Sequence, residues 1–351
     1  MIMKKGRIMM AGFFLITVIA SITYFIFFYR ITEKQYDKAM TYFVSRSITK
    51  DLRGFDEKII TIRDFVHYNV RPVTNYPNRL DTIAIDKLLS GVGFCDQQSR
   101  VFMQLAHNVG ITSRLLFLKP KSGPSPHSVA EALEPDGRWI IVDVAYNLDL
   151  VNAEGKFASQ EDIRKDLNIV KNNEKVLLRT PFEKRLEDNT YLSIYGNEPV
   201  YIVTKNKTKF DPLRRVPLSW IRPFVSFIQN KYLEQIHSII NDPYEFKILK
   251  ARGYHLLGYY DRGDSMYAEI IGNSRDLMVK RKAQYYYCVS LKDQKRYKDS
   301  YDYITSIIEK DKENPYREYL YGTKANLLKK MGRLNEAKED LARIQYSLDA
   351  M

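Results

Sequence analysis

Residues 91–114 read GVGFCDQQSRVFMQLAHNVGITSR, and this stretch decides how the chain folds. Its glycines at 91 and 93 mark a tight loop, and Gly110 is suited to end a helix. Between them, apolar residues recur at helical spacing: Phe102, Leu105, Ala106 and Val109. The pattern predicts a buried helix with Cys95 at or near its N-terminus. The helix dipole there favours a thiolate, and backbone N–H groups can donate to a developing oxyanion.

The sequence after this helix predicts a strand and then a β-hairpin. Residues 111–118 are suited to lead back into the core as a strand. Residues 125–143 read SPHSVAEALEPDGRWIIVD, in which the side chains alternate on either side of a Pro-Asp-Gly turn signal at 135–137. His127 then begins the first strand of the hairpin, and Asp143 lies near the end of the second.

The length of the hairpin loop decides whether His127 and Asp143 meet. A loop of three or five residues pairs Val129 with Asp143 and His127 with Ala145, which makes His127 and Asp143 diagonal neighbours on one face. A two-residue Asp-Gly loop would place them on opposite faces. The prediction of a site therefore depends on this turn.

Three side chains in this arrangement can perform acyl transfer through a covalent intermediate. The Cys95 thiolate attacks an acyl carbon, and His127 takes the thiol proton and later delivers it to the leaving amine. Asp143 holds the imidazole in the required tautomer. Water or a second amine then resolves the acyl-enzyme.

This region resembles the transglutaminase-like superfamily, whose members have a papain-type fold. The resemblance covers about residues 55–200, and it is carried by Gly93, Phe94, Cys95, Ser99, Phe102, Gly110, Ile111, Arg114, His127, Trp139 and Asp143. It implies an α+β domain in which the cysteine helix packs on an antiparallel sheet, with Cys95, His127 and Asp143 as the catalytic residues. Ser128 departs from the family, which often has an aromatic residue after its histidine.

One part of the predicted site stays open, because no single side chain is indicated as the upstream oxyanion donor. Tyr68, Asn69 and Gln97 are the candidates. Glu131 shares the face of His127, as a second polar group there or as an ion-pair partner of Arg114.

A structural role for Cys95 is the competing interpretation, because a buried cysteine at a helix start is common. Its combination with His127 and Asp143 at the family's spacing favours catalysis. Cys288, the only other cysteine, is expected in a different module, so no disulfide framework is predicted. The sequence has no phosphate-binding loop, zinc-ligand spacing or dinucleotide fingerprint, and we expect neither a cofactor nor a metal.

The N-terminal segment predicts a membrane anchor. Residues 8–29 read IMMAGFFLITVIASITYFIFFY without a charge, enough to cover roughly 33 Å as a helix. Basic residues precede it, so the positive-inside rule predicts a cytoplasmic N-terminus and an extracytoplasmic bulk. Two alternatives stay open: a signal peptide cleaved after Ala20, and the opposite orientation, because the following segment is also basic.

The C-terminal segment predicts paired helices with a loose internal period. Residues 325–344, ANLLKKMGRLNEAKEDLARI, resemble a tetratricopeptide repeat. Cys288 and Leu291 would then point to the inside of the preceding copy. Comparable small residues recur at Ala268, Ser300 and Ala337. Such repeats form binding surfaces, which predicts a protein partner. An ordinary helical bundle is the alternative.

The expected fold class is α+β, with a papain/transglutaminase-like core, an N-terminal transmembrane helix and an all-α repeat region. The expected segments are a 1–30 anchor, a 31–54 stalk or first helix, a 55–205 transglutaminase-like domain, a 206–241 linker with an apolar interfacial part, and a 242–351 helical region. The mean hydropathy of −0.37 excludes a polytopic membrane protein.

The expected function is that of a membrane-anchored thiol acyltransferase or amidohydrolase acting on a peptide or protein amide. One alternative is a non-catalytic binding protein of an envelope assembly that keeps the fold. Another is a scaffold for acidic polysaccharide, suggested only by the net charge of +13. Because the basic residues form no dense block, nucleic-acid binding is not expected.

Overall fold

The computed structural model describes residues 30–71, 84–118, 127–171, 194–197, 200–202, 216–237 and 242–348, together with residues 17 and 240. Within these ranges the chain forms an α+β module followed by a set of helical pairs.

The α+β module begins with helices that surround the predicted nucleophile helix. They are α1 (Glu33–Thr49), α2 (Phe55–Asn69), α3 (Ala84–Ser90) and α4 (Cys95–Asn108). Thr32 starts α1 by accepting a hydrogen bond from the Gln35 N–H at 3.3 Å. Gly110, with a φ of 86°, ends α4 in the left-handed conformation that glycine adopts without strain. The predicted helix of the cysteine is therefore confirmed at both ends.

An antiparallel four-stranded sheet follows, in the order β3-β2-β1-β4. Its strands are β1 (Ser113–Leu118), β2 (His127–Leu133), β3 (Trp139–Val142) and β4 (Val200–Ile202). Strand β1 starts two residues later than the sequence pattern predicts. Two short helices, α5 (Gln160–Lys165) and α6 (Asn168–Lys171), precede β4. Residues 194–196 form a short helical turn.

The register of the hairpin agrees with the longer of the predicted loops. Ala130 pairs with Val142 and Leu133 with Trp139, which leaves five residues between the strands. Gly137 supports the turn with a φ of 94°, and its N–H donates to the Glu134 carbonyl at 3.0 Å. His127 and Asp143 are thereby directed to the same face of the sheet.

Each face of the sheet packs against a separate hydrophobic cluster. The apolar side of α4 contacts one face, and the cluster there includes Phe102, Leu105, Leu115, Ala130, Ile140 and Val142. The other face is covered by residues 146–170 and Tyr195, in a cluster with Leu116, Val129 and Ile141. Because strand side chains alternate, consecutive residues of β2 face different clusters.

The described part of the predicted linker contains a helix, α7 (Leu218–Ile236), which lies antiparallel to α1. At one end, Gln235 exchanges two hydrogen bonds with the backbone of Ile31, at 3.0 and 2.9 Å. At the other end, Arg46 donates to the Val216 carbonyl at 3.1 Å. Apolar residues of α7 join the α4-side cluster, so this segment packs as part of the core.

The C-terminal residues form three helical pairs, as expected for the repeat interpretation. They are α8 (Pro243–Leu256) with α9 (Tyr260–Asn273), α10 (Leu277–Asp293) with α11 (Tyr297–Lys310), and α12 (Arg317–Lys330) with α13 (Leu334–Leu348). Cys288 and Leu291 are buried, as predicted.

The choice of Ala268 as a repeated small residue is wrong, because this side chain is exposed. The equivalent of Ser300 and Ala337 is Gly263: each of the three lies on the fourth residue of its helix, and all three are buried. A Cβ at Gly263 would lie 3.1 Å from the Ala251 carbonyl oxygen, so close helix packing selects the small residue. The corrected spacing is 37 residues between successive copies.

The predicted anchor at 8–29 lies outside the described residues, apart from Thr17. Among the helices of the described ranges, none combines the length and the apolar character needed to cross a membrane. The anchor therefore stays a prediction.

Candidate active site

Cys95 is the first residue of α4, and the loop before it is fixed by backbone pairing. The Arg71 N–H donates to the Gly91 carbonyl at 2.8 Å, and the Gly93 N–H donates back to the Arg71 carbonyl at 3.0 Å. A Cβ at Gly93 would lie 2.9 Å from a methyl carbon of Val70, so only glycine fits this close approach. The loop therefore presents Cys95 at a defined position at the helix N-terminus.

His127 and Asp143 form a buried pair next to this cysteine. His127 Nε2 and Asp143 Oδ2 are 2.9 Å apart, and both residues are at most 2% exposed. The Tyr146 N–H donates to Asp143 Oδ1 at 3.0 Å. Because Nε2 of the imidazole faces Asp143, Nδ1 is the nitrogen that hydrogen-bonds with the thiol.

The Cys95 thiol is half-buried and hydrogen-bonds with His127 and Ser128. Ser128 contributes its backbone N–H and its hydroxyl group. Burial raises the pKa of the thiol, but the hydrogen bond and charge of His127, together with the two bonds from Ser128, outweigh it. The pKa of Cys95 therefore lies below its ordinary value.

The pKa of His127 is shifted in the opposite direction, upward. Burial lowers the pKa of His127, but the charge and hydrogen bond of Asp143, with smaller contributions from Cys95, raise it to about 9. Burial raises the pKa of Asp143, but the charge and hydrogen bond of His127, with the bonds from Tyr146 and Tyr195, hold it below its ordinary value. At neutral pH the imidazole is therefore protonated, and its charge stabilises the thiolate form of Cys95 relative to the thiol.

Ser128 faces the opposite side of the sheet from its neighbour His127, and both residues contact the thiol. Its side chain belongs to the face that packs against α4, and the Ser99 hydroxyl of that helix donates to the Ser128 carbonyl at 3.4 Å. Ser128 is 3% exposed, so its side chain is packed between the sheet and the helix. The departure from the family pattern thus introduces an additional donor to the thiol sulfur.

Tyr195 is a site residue that sequence reasoning missed. Its hydroxyl donates to Asp143 Oδ2, the same oxygen that faces His127. The ring is fully buried, with its centroid 6.1 Å from that of His127. Tyr195 follows Asp143 by 52 residues and belongs to no recognisable motif, so the sequence carries no signal for it.

Two of the three oxyanion candidates have other contacts. The Asn69 amide accepts from Arg252 at 3.0 Å and donates to the Phe65 carbonyl at 2.9 Å. The Tyr68 ring lies between Arg71 and Lys292, at 5.2 and 4.9 Å from its centroid.

Gln97, the third candidate, lies on the first turn of α4. Its Oε1 accepts from the Phe94 N–H at 3.0 Å, beside Cys95. This bond caps the helix, so Gln97 also has a structural contact, and it stays a candidate oxyanion donor through its position two residues after Cys95.

Other polar residues of the domain have structural contacts. Glu131 pairs with Arg114 at 2.5 Å, as the ion-pair interpretation predicts. His67 bonds to the Val144 carbonyl and to Arg71, each at 3.0 Å. Throughout the part of the chain that the structure describes, no group of three or more His, Cys, Asp or Glu side chains could hold a metal ion.

The fold and the site define a papain-type α+β domain with cysteine, histidine and aspartate side chains placed together. Residues 42–144 match the family model of the transglutaminase-like superfamily. The chain thus contains a transglutaminase-like domain, and the matched segment includes Cys95, His127 and Asp143.

The chain is similar to a solved structure described as "a Putative Cysteine Protease from Cytophaga hutchinsonii", with 23% identity over 42% of this chain and 49% of that chain, and a TM-score of 0.27. The chain thus spans about half the length of that protein, and a likeness at this TM-score carries no argument about function. The comparison with curated proteins found no match.

Proposed function

We propose that the protein is a cysteine-dependent acyltransferase or amidohydrolase that forms an acyl-enzyme on Cys95. The observation that carries the proposal is the contact of Cys95 with His127, whose imidazole is buried against Asp143. The opposite pKa shifts of the thiol and the imidazole support it, because they favour a thiolate–imidazolium pair.

In the first half of the reaction, the Cys95 thiolate attacks the carbonyl carbon of a peptide or protein amide. The carbonyl oxygen gains negative charge at the N-terminus of α4, near Gln97. Protonated His127 then donates its proton to the leaving nitrogen as the C–N bond breaks. The products are a free amine and a thioester on Cys95.

In the second half, neutral His127 takes a proton from the acceptor, which is water or a second amine. The acceptor attacks the thioester carbon, and Cys95 leaves as a thiolate, which restores the starting state. Asp143, held by Tyr195 and the Tyr146 N–H, keeps the imidazole oriented through both halves. Water gives hydrolysis and an amine gives transfer.

We place this reaction outside the cytoplasm, on a chain anchored by residues 8–29 and with a protein partner on the C-terminal helices. The apolar run of the sequence and its basic flank support the location, and the helical pairs support the partner.

The first test is the pH dependence of Cys95 alkylation by iodoacetamide in the full-length chain, followed by mass spectrometry of the Cys95 peptide. We expect a thiol with an apparent pKa below that of free cysteine, and loss of this shift in His127→Ala. The matched control is His237→Ala, because it removes an exposed histidine that lies outside the site. Cys288 is an internal reference, since burial raises the pKa of its thiol.

A Cys95 that titrates like free cysteine in the natural chain would refute the proposal. The non-catalytic binding protein would then be the better interpretation.

A further inference from the structure

The C-terminal helices contact the segments that lead to Cys95. One face of the helical region, formed by α8, α10 and α12, packs against residues 68–71 and 88–91. We call this face the inner face. The contacts are hydrogen bonds from buried side chains, and three residues of the inner face make them: Arg252, Tyr285 and Tyr286.

Arg252 is a buried cation that binds two helix ends of the transglutaminase-like domain. It is 0% exposed and donates to the Leu88 carbonyl at 2.6 and 3.2 Å. It also donates to the Asn69 side chain at 3.0 Å and to the Asn69 carbonyl at 3.3 Å. These groups lie at the C-terminal ends of α3 and α2, where helices leave carbonyls without intrahelical partners and carry partial negative charge. The arginine satisfies both ends at once.

Two tyrosines extend the contact toward the nucleophile. The Tyr286 hydroxyl donates to the Gly91 carbonyl at 2.9 Å, and the Tyr285 hydroxyl donates to the Tyr68 carbonyl at 3.0 Å. The Arg252 guanidinium lies 4.0 Å from the Tyr286 ring centroid and fixes that ring in place. Gly91 precedes Cys95 by four residues, in the loop that pairs with Arg71.

Gly91 shows how closely the two modules meet. Its φ is 69°, and a Cβ placed on it would lie 1.5 Å from the Tyr286 hydroxyl oxygen. No side chain fits between the loop and the tyrosine. The position of the loop is therefore set by the helical region as well as by the domain that contains it.

We propose that the C-terminal helical region is an intramolecular brace that holds the Cys95 loop in its reactive position, with Arg252 and Tyr286 as positioning residues. This inference rests on the proposed thiol chemistry and adds that the reactivity of Cys95 depends on side chains more than 150 residues further along the chain. The inner face is occupied by the chain's own domain, so a protein partner would bind another surface of the helices.

The test compares Tyr286→Phe with Tyr321→Phe in the full-length chain, using the pH dependence of Cys95 alkylation. Each variant removes one tyrosine hydroxyl from the same helical region, and the Tyr321 hydroxyl accepts a hydrogen bond from Arg317 of its own helix at 3.3 Å. We expect Tyr286→Phe to slow alkylation at neutral pH by about threefold to tenfold and to raise the apparent pKa of Cys95. Tyr321→Phe should leave both unchanged, with a similar loss of Tm.

A second pair of variants separates the brace from backbone strain. Gly91 and Gly110 both have positive φ, but a Cβ at Gly110 meets nothing within 4 Å. Gly91→Ala should therefore reduce Cys95 reactivity further than Tyr286→Phe, whereas Gly110→Ala should only lower Tm.

An acidic thiol in the natural chain that is unchanged in Tyr286→Phe and Gly91→Ala would overturn the brace and leave the proposed function standing. A thiol that is not acidic in the natural chain would overturn both.

Discussion

Replacing Asp143 with asparagine is expected to convert His127 from a protonated to a neutral imidazole at neutral pH. Burial alone lowers the pKa of His127, and the largest opposing contribution is the Asp143 charge, which helps to raise it to about 9. Without that charge, the pKa should fall to or below the ordinary value of about 6.5. The side chain of asparagine keeps the shape of the site, but it has one acceptor oxygen where Asp143 uses two, Oδ1 for the Tyr146 N–H and Oδ2 for Tyr195 and His127.

The size of the effect follows from this shift. At about pH 7.5, an imidazole with a pKa near 9 is about 97% protonated, whereas one with a pKa of about 6.5 is only about 10% protonated. The thiolate then loses its positive partner, so the pKa of Cys95 should rise toward its ordinary value. We expect the rate of Cys95 alkylation at this pH to fall roughly tenfold or more.

Two measurements check this prediction. Histidine Cε1 resonances give the titration of His127 directly, and the chain has only five histidines to assign. Alkylation followed by mass spectrometry gives the titration of Cys95. The matched control is Asp293→Asn, because Asp293 pairs with the buried His255 at the same 2.9 Å, away from the site. It should alter the titration of His255 and leave that of His127 unchanged.

One result would refute the reasoning. If His127 still titrates near 9 in Asp143→Asn, the Asp143 charge does not hold the proton on the imidazole. The assignment of Asp143 as the orienting acid would then fail.

Three further predictions concern the thiol and the stability of the fold. Ser128→Ala should raise the pKa of Cys95, because it removes one hydrogen-bond donor to the sulfur. The pH dependence of Cys95 alkylation measures this pKa, and an unchanged titration would contradict the contact. Arg114→Met should lower the unfolding free energy by about 3–5 kcal/mol, because Glu131 is 1% exposed and would lose its charge partner. Urea denaturation measures this loss, and a loss below about 1 kcal/mol would contradict the prediction. Asp86→Asn should raise Tm at pH 8 but hardly at pH 4. Burial and the nearby acidic side chains of α1 raise the pKa of Asp86 to about 7 in the folded protein. The natural chain therefore loses stability as the pH rises toward 7, because ionised Asp86 is less favourable in the folded than in the unfolded state. Equal gains at both pH values would contradict this sign.

The local parts of the site could be predicted because each depends on a short stretch of sequence. The apolar spacing after Cys95 and the glycine at 110 specify α4. The turn signal at 135–137 predicts the hairpin, although the loop length that brings His127 and Asp143 to one face stays open in the sequence. Such signals lie within one helix or one hairpin, where periodicity and turn chemistry determine the geometry.

The remaining contacts could not be predicted because they join segments distant in sequence. Tyr195 and Arg252 reach their partners only after the chain has packed, and a buried tyrosine or arginine looks like any other in the sequence. The choice of Ala268 over Gly263 failed for a related reason. The selecting contact is the approach of the Ala251 carbonyl on the preceding helix, which residue size alone does not reveal.

The five-residue loop between β2 and β3 has a consequence for how this protein can vary during evolution. The buried faces of β2 and β3 hold the register of the hairpin, so a change of length inside the loop leaves His127 and Asp143 on one face. Strand side chains alternate with a period of two, so a single insertion or deletion within β2 or β3 would turn Asp143 away from His127, unless a β-bulge compensates for it. In an alignment of relatives, length changes inside these two strands would therefore separate chains with an assembled site from chains that keep the three residues without the site.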